Sequence, residues 1–242
     1  MNFIMLTWFF ILGMVFGSFF GVVGSRLPEG GSIVKPRSHC PYCKHVLKWY
    51  ELIPVFSYII QKGKCKNCKK NISIFYPLIE IITGLLFSIS YFYFGFTKEL
   101  LMALLIASFL VIVIVSDINY LIIPDEVTIF FSIVMIITKL ICYGVKNTIY
   151  SIMSGILMFC LMYCIMILAS KILKKEALGG ADIKLMFFTG LVLNPTLAIL
   201  DIFVSSLLAL PISIIFLIKD RNNVIPYGPF ILIGVFLIYF FS

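Results

Sequence analysis

Charge is what this chain of 242 residues has least of. Asp, Glu, Lys and Arg together make up 12% of it, against about 25% in a soluble globular domain, while hydrophobic residues make up 62%. That balance excludes an ordinary water-soluble fold. It also excludes disorder, which needs low hydrophobicity. Internal repeats and low-complexity tracts are absent, so solenoid and fibrous architectures fall away. No G-x-G-x-G follows a candidate strand, which leaves no sign of a soluble nucleotide-binding domain. The first apolar run has no basic stretch before it and no A-x-A-like site after it, so it reads as a retained span rather than a removed signal peptide.

What the chain has in abundance is long apolar runs. Separated by charges and turn residues, they predict about eight transmembrane helices, near residues 5–24, 76–94, 100–115, 127–142, 149–173, 183–193, 197–217 and 224–241. The sixth is short and is interrupted by Asn194-Pro195. The expected class is therefore an all-α polytopic membrane protein.

The 19 basic residues against 11 acidic ones are unevenly placed. Ten of them, from Arg26 to Lys70, fall between Ser25 and Ser73. Alternation of the spans adds Lys171, Lys174, Lys175, Lys184, Lys219 and Arg221 to the same side. The positive-inside rule makes that side cytoplasmic and puts the N-terminus outside. Topology thus accounts for the basic loop with no nucleic acid as partner.

Within the loop, Cys40-Pro-Tyr-Cys43 and Cys65-Lys-Asn-Cys68 form two C-x-x-C pairs. Pairs at this separation suit two knuckles sharing one tetrahedral zinc, a closed structural site. Lys44, Lys64, Lys66 and Lys69 are expected to offset the charge of four thiolates. A disulfide is disfavoured on the reducing side. His39 and His45 flank the first pair as bystanders, and Cys142, Cys160 and Cys164 are expected to pack as small hydrophobes in the spans.

Acidic residues beside hydrocarbon are functional candidates by default. Asp117 follows an apolar run and opens Asp117-Ile-Asn-Tyr-Leu-Ile-Ile-Pro124-Asp125, and Asp182 closes Gly179-Gly180-Ala181-Asp182. The topology puts both at cytoplasmic helix ends. Two carboxylates at one depth can act as an aspartic-protease dyad, one activating water and the other polarising the scissile carbonyl. The plain reading, an interfacial or N-cap residue beside each span, also fits either Asp. Asp125 and Glu126 equally suit the start of a helix, and Glu80 and Asp201 lie in or near spans as packing partners or a relay.

These residues together resemble the bacterial type IV prepilin peptidases, the leader peptidase/N-methyltransferases of pilus, competence and type II secretion systems, which are aspartic proteases of the GxGD type. The resemblance rests on Gly17-Ser18-Phe19, the basic loop with its cysteine pairs, Glu51-Leu-Ile-Pro54 and Tyr76-Pro77 with Glu80. It rests further on Asp117 with Pro124-Asp125, and on Gly179-Gly180-Ala181-Asp182-Ile-Lys184. Ala181 stands where the motif has its second glycine.

The resemblance implies a zinc-binding, methyltransferase-like loop at 25–75 and a transmembrane aspartic peptidase at 76–242 with Asp117 and Asp182 as catalytic pair. It implies cytoplasmic-side removal of a short basic leader, after Gly, from type IV prepilin and pseudopilin precursors. It also implies methylation of the new terminal amine with S-adenosylmethionine, for which no residue motif marks a site. The basic leader would be attracted by Asp125, Glu126 or Glu51, or by anionic membrane lipid. A proton-coupled transporter using the aspartates as a relay, or a catalytically silent zinc-bearing scaffold, would be the alternatives. No internal symmetry favours the first, and the matched aspartates argue against the second.

Overall fold

The computed structural model describes residues 3–173, 179–219 and 226–242. Lys174, Lys175 and Arg221 of the charge count, and the first two residues expected in the eighth span, lie outside them. The chain divides into two compact units, Met1–Leu100 and Leu101–Ser242.

The first unit is built on α1 (Phe3–Arg26) and α3 (Phe75–Phe94). Both are apolar along their length, and they pack through small residues: a methyl group at Gly13 would fall 2.7 Å from the Cα of Gly84, and one at Gly17 would fall 2.7 Å from Thr83 Oγ1. Close backbone approach of this kind is how helices associate where lipid removes the hydrophobic drive between them. Between the two helices lie the cysteine loop, with short 3-10 turns and the single-turn α2 (Phe56–Ile60). Glu80, inside α3, is buried and accepts the Val55 amide at 2.7 Å, so it ties the loop to the helix.

The second unit comprises α4 (Lys98–Tyr120, whose first turn belongs to the first unit), α5 (Asp125–Leu173), α6 (Gly180–Val192), α7 (Pro195–Lys219) and α8 (Gly228–Phe241). The α5 helix breaks at Gly144, where φ is +79° and ψ is 172°. Only glycine takes that conformation readily. Two arms result, at 125–143 and 145–173, matching the fourth and fifth expected spans. The connecting loop expected between them reduces to one non-helical residue.

Among the described residues, five helices are long and apolar enough to cross a membrane, the α5 pair counting as one, and α8 is a shorter apolar helix. With the α5 arms counted separately and α6 included, the described residues hold eight apolar helical segments, as the hydropathy predicts. The α6 helix has 13 residues, roughly 20 Å, short of the roughly 30 Å hydrocarbon layer. Much of it is enclosed. Leu185, Met186, Phe188 and Leu191 are almost fully buried, and a methyl at Gly190 would meet the Gly155 Cα at 2.7 Å.

Burial corrects two expectations. Cys160 and Cys164 are exposed on the outer face of α5 and do not pack as core hydrophobes. Glu51 is buried and is not an exposed acid at the rim. The helices are apolar all round, so sequence alone carries little signal for which face turns inward.

Candidate active site

Asp117 occupies the last turn of α4 and is buried, at 6% exposure. The helix stops because Leu121 takes a left-handed conformation (φ +54°) while its amide still reaches the Asp117 carbonyl at 2.9 Å. The Ser116 hydroxyl donates to the Ile122 carbonyl, holding the exit loop against the helix. Ile123 and Pro124 are buried there, and α5 starts at Asp125.

Asp182 lies in the first turn of α6, which begins after Gly179 in extended backbone. A Cβ at Gly179 would fall 3.3 Å from Asp182 Oδ2, whereas one at Gly180 would meet nothing within 4 Å. Of the residues before Asp182, Gly179 is therefore the one whose size bears on the carboxylate. The Ala181 departure lies one residue before Asp182, and its side chain is partly exposed.

A third element joins these two. Gly228, the first residue of α8, is buried and donates its backbone N–H to Asp117 Oδ2 at 3.2 Å. Its Cα faces Ile123 of the exit loop, Asp117 and Leu185 of α6, and a methyl there would stand 2.5 Å from Ile123 Cδ1. Leu185 lies one turn beyond Asp182 on α6, so Gly228 is seated where both aspartate motifs meet. Asp117 is within electrostatic reach of Asp182. Lys184 bridges Asp125 through both carboxylate oxygens at 2.7 Å, linking the start of α5 to α6. That pair is open to solvent, with side chains 48% and 58% exposed. Asp125 is thus engaged with Lys184, while Glu126 beside it is exposed.

Gly228 was not visible as a site residue from sequence. Its contribution is a main-chain amide, and the only local signal is the Gly228-Pro229 pair opening an apolar run, a helix start of the kind proline favours. Asp201 is fully buried in α7 with both carboxylate oxygens lacking a partner among the described residues. It faces Gly234 of α8 and takes no part in the aspartate cluster as described.

In the first unit the four cysteines come together. Cys40 Sγ lies 3.8 Å from Cys68 Sγ, Cys43 Sγ lies 3.9 Å from Cys65 Sγ, and all four sulfurs lie within 4.8 Å of one another. A tetrahedron of thiolates about 2.3 Å from zinc has edges of about 3.8 Å, so this donor set fits a zinc ion.

The two knuckles repeat one another. The Cys40 amide donates to the His45 carbonyl and the Cys65 amide to the Lys70 carbonyl; Lys44 and Lys69 donate to the carbonyls of Cys40 and Cys65. Both of these lysines have positive φ, and the bridges His39–Val46 and Lys64–Asn71 close the two turns. The backbone amide of His45, together with the Asn67 side chain, holds the Cys43 thiol down to about 6. Of the lysines beside the thiols, Lys66 lies over the Tyr50 ring, and Lys70 lies over Tyr42.

His39 Nδ1 donates to the Arg37 carbonyl at 2.9 Å, and His45 pairs with Glu51 at 3.4 Å, so neither joins the sulfur cluster. Glu51 Oε2 accepts the Lys48 amide at 2.9 Å. That amide, followed by His45, holds the Glu51 carboxyl below the usual carboxylate range.

Residues 11–94 match the Bacterial Peptidase A24 N-terminal domain, and residues 104–214 match the Type IV leader peptidase family. The chain is 34% identical over 241 residues to the prepilin leader peptidase/N-methyltransferase of Bacillus subtilis, covering 98% of this chain and 95% of that protein. The chain belongs to the type IV leader peptidase family.

Other members agree. The Myxococcus xanthus prepilin leader peptidase/N-methyltransferase is 37% identical over 183 residues, 75% of this chain and 54% of that protein. The Neisseria gonorrhoeae protein of the same description is 27% identical over 257 residues, 95% of this chain and 88% of that one. No solved structure matches the chain. The family's N-terminal part spans the cysteine cluster, and its peptidase part spans Asp117 and Asp182. The resemblance carried by short motifs therefore extends over nearly the whole chain, and the comparisons favour neither a transporter nor a scaffold.

Proposed function

We propose that this multi-pass membrane protein removes the short basic leader from type IV prepilin and pseudopilin precursors, cutting after Gly at the cytoplasmic face, with Asp117 and Asp182 as the catalytic pair. The observation that carries this reading is the meeting of the two aspartate motifs around Gly228 in a member of a peptidase family. The chemistry needs one proton shared between two carboxylates. One carboxylate takes a proton from water as the water oxygen bonds to the scissile carbonyl carbon, and the other lends its proton to the carbonyl oxygen. Collapse of the tetrahedral intermediate breaks the C–N bond, and a proton passes to the departing amine. The Gly228 amide holds Asp117 Oδ2 in place through this cycle. Gly179 leaves room beside Asp182 for substrate backbone.

The remaining assignments follow the charge distribution. The basic loop and both aspartates face the cytoplasm, with the N-terminus outside, as the positive-inside rule requires. Residues 25–75 hold zinc through Cys40, Cys43, Cys65 and Cys68, where it stabilises the loop and supplies no reaction step. The same segment serves methylation of the new terminal amine from S-adenosylmethionine, the second activity in the names of the relatives. Exposed Asp125 and Glu126, with anionic lipid, attract the basic leader; Glu51 is occupied internally.

The test is cleavage of a synthetic precursor by purified protein with S-adenosylmethionine present, read by product mass beside Asp117→Asn and Asp182→Asn. Expected are a cleaved product one methyl heavier from the wild type and no cleavage from either variant. Retained cleavage in either variant overturns the dyad. Cleavage without added mass removes the methyltransferase half.

A further inference from the structure

Part of the cysteine loop carries no charge. Between Glu51 and Lys62 the chain reads Leu-Ile-Pro-Val-Phe-Ser-Tyr-Ile-Ile-Gln, and its helical part is α2. On α2, Phe56, Ile59 and Ile60 stand three and four residues apart, the spacing of one helix face, and they are 60%, 64% and 78% exposed. Trp49, two residues before Glu51, is 76% exposed. Tyr58 seats the helix on the loop. Its hydroxyl donates to the Ile72 carbonyl at 3.4 Å, and a methyl at Gly63 would fall 2.9 Å from that hydroxyl. The fold therefore turns these large apolar side chains outward. Surfaces facing water rarely hold so many together unless something covers them.

The depth of α2 decides what covers it. Val55, its N-cap residue, donates its amide to Glu80 at 2.7 Å. Glu80 is the sixth residue of α3, about 7.5 Å from the helix start at 1.5 Å per residue. With 20 residues, α3 matches the roughly 30 Å of the hydrocarbon layer, so its first turns lie at the boundary with the headgroups. Exposed Tyr76 in the first turn is the kind of residue found at that boundary. The α2 helix thus starts within a side chain's reach of the lipid surface.

Charge agrees with this depth. Residues 25–75 hold ten basic side chains and two acidic ones, Glu29 and Glu51, and Glu51 is buried against His45. Lys48 and Lys62, both exposed, flank the apolar stretch. An apolar face bearing Trp and Phe, edged by lysines, suits the interface of an anionic bilayer.

We propose that Trp49 and the Phe56, Ile59 and Ile60 face of α2 lie in the headgroup region of an anionic leaflet, docking the cysteine loop on the lipid surface from which α1 and α3 emerge.

The chain has two tryptophans, Trp8 and Trp49, so Trp8→Phe leaves Trp49 as sole reporter with the proposed surface intact. Full-length protein is placed in nanodiscs of phosphatidylcholine and phosphatidylglycerol. Emission is read with acrylamide as the aqueous quencher and with phosphatidylcholine carrying a doxyl group near its headgroup as the lipid quencher. Docking gives blue-shifted emission, strong quenching by the doxyl lipid and weak quenching by acrylamide. Phe56→Trp in the Trp8→Phe/Trp49→Phe background reads α2 itself and should behave alike. Adding Ile59→Ser/Ile60→Ser to Trp8→Phe should cut lipid quenching severalfold. So should high salt or omission of phosphatidylglycerol, which weaken attraction to the headgroups.

Strong acrylamide quenching of both reporters overturns the proposal, because the face is then in water. Shielding from both quenchers also overturns it, because another part of the chain, a second copy or substrate then covers the face. Lipid quenching that does not change without phosphatidylglycerol overturns the anionic part.

Discussion

The backbone nitrogen of Gly228 stands 3.2 Å from Asp117 Oδ2, although 111 residues separate the two in sequence. A side chain at 228 would displace both Ile123 and the carboxylate. Gly228→Ala should therefore lower kcat for leader cleavage by about tenfold or more, a misplacement effect, while KM changes little. Steady-state kinetics on a synthetic precursor checks this, and an unchanged kcat would detach Gly228 from the chemistry.

Asp117→Asn and Asp182→Asn should each lower cleavage by about 10²–10⁴-fold, the range for loss of a positioned acid or base. Asp125→Asn should retain most activity. Its partner is Lys184, and an exposed pair of this kind is worth at most about 1 kcal/mol. A double-mutant cycle with Lys184→Met measures that coupling directly. If Asp125→Asn were as inactive as Asp117→Asn, the first catalytic assignment would be wrong.

Gly179→Ala and Gly180→Ala should differ. The first adds a methyl 3.3 Å from Asp182 Oδ2, the second adds one in open space. Cleavage should fall for Gly179→Ala and stay close to wild type for Gly180→Ala. Equal loss in both would mean that substrate, rather than Asp182, sets the size limit.

Purified protein should carry one zinc per chain by elemental analysis, and Cys40→Ser or Cys65→Ser should release it. Metal removal should unfold the 25–75 segment, seen as faster proteolysis there, with the transmembrane helices retained in the circular dichroism. A wild-type protein without metal would contradict the four-thiolate reading.

Glu51 gives a signed pH effect. Its folded carboxyl lies below the usual range because it accepts the Lys48 amide and pairs with His45. The folded state then binds fewer protons than the unfolded one, so the stabilisation is present above the ordinary Glu value and is lost as pH falls through the lowered one. Proteolysis of the loop should accelerate in acid, and Glu51→Gln should flatten that dependence. An identical acid response in the variant would assign the effect to other groups.

Much of this architecture was legible because its signals are local. Apolar runs gave eight segments, and the cysteine pairs gave a metal-shaped cluster through spacing alone. The short sixth segment was legible too, since Asp182 and Asn194-Pro195 bracket it. What escaped depends on long-range approach or on helix rotation. Gly228 acts through a main-chain amide, with no side chain to mark it. Cys160 and Cys164 face outward on a helix whose apolar residues run all round. Glu51 looks like a rim acid until the fold buries it against Lys48 and His45.

The glycine contacts between α1 and α3, and between α5 and α6, set how this sequence can drift. Outward positions such as Ile133, Ile141 and Leu168 can exchange among Leu, Ile, Val and Phe with little consequence, because lipid accommodates any of them. Gly13, Gly84, Gly155 and Gly190 cannot enlarge, because the partner backbone already occupies the space. Descendants of this chain should therefore diverge fastest across their lipid-facing surface while these four small residues stay nearly constant, leaving a record of which helices touch even after most of the apolar residues have been replaced.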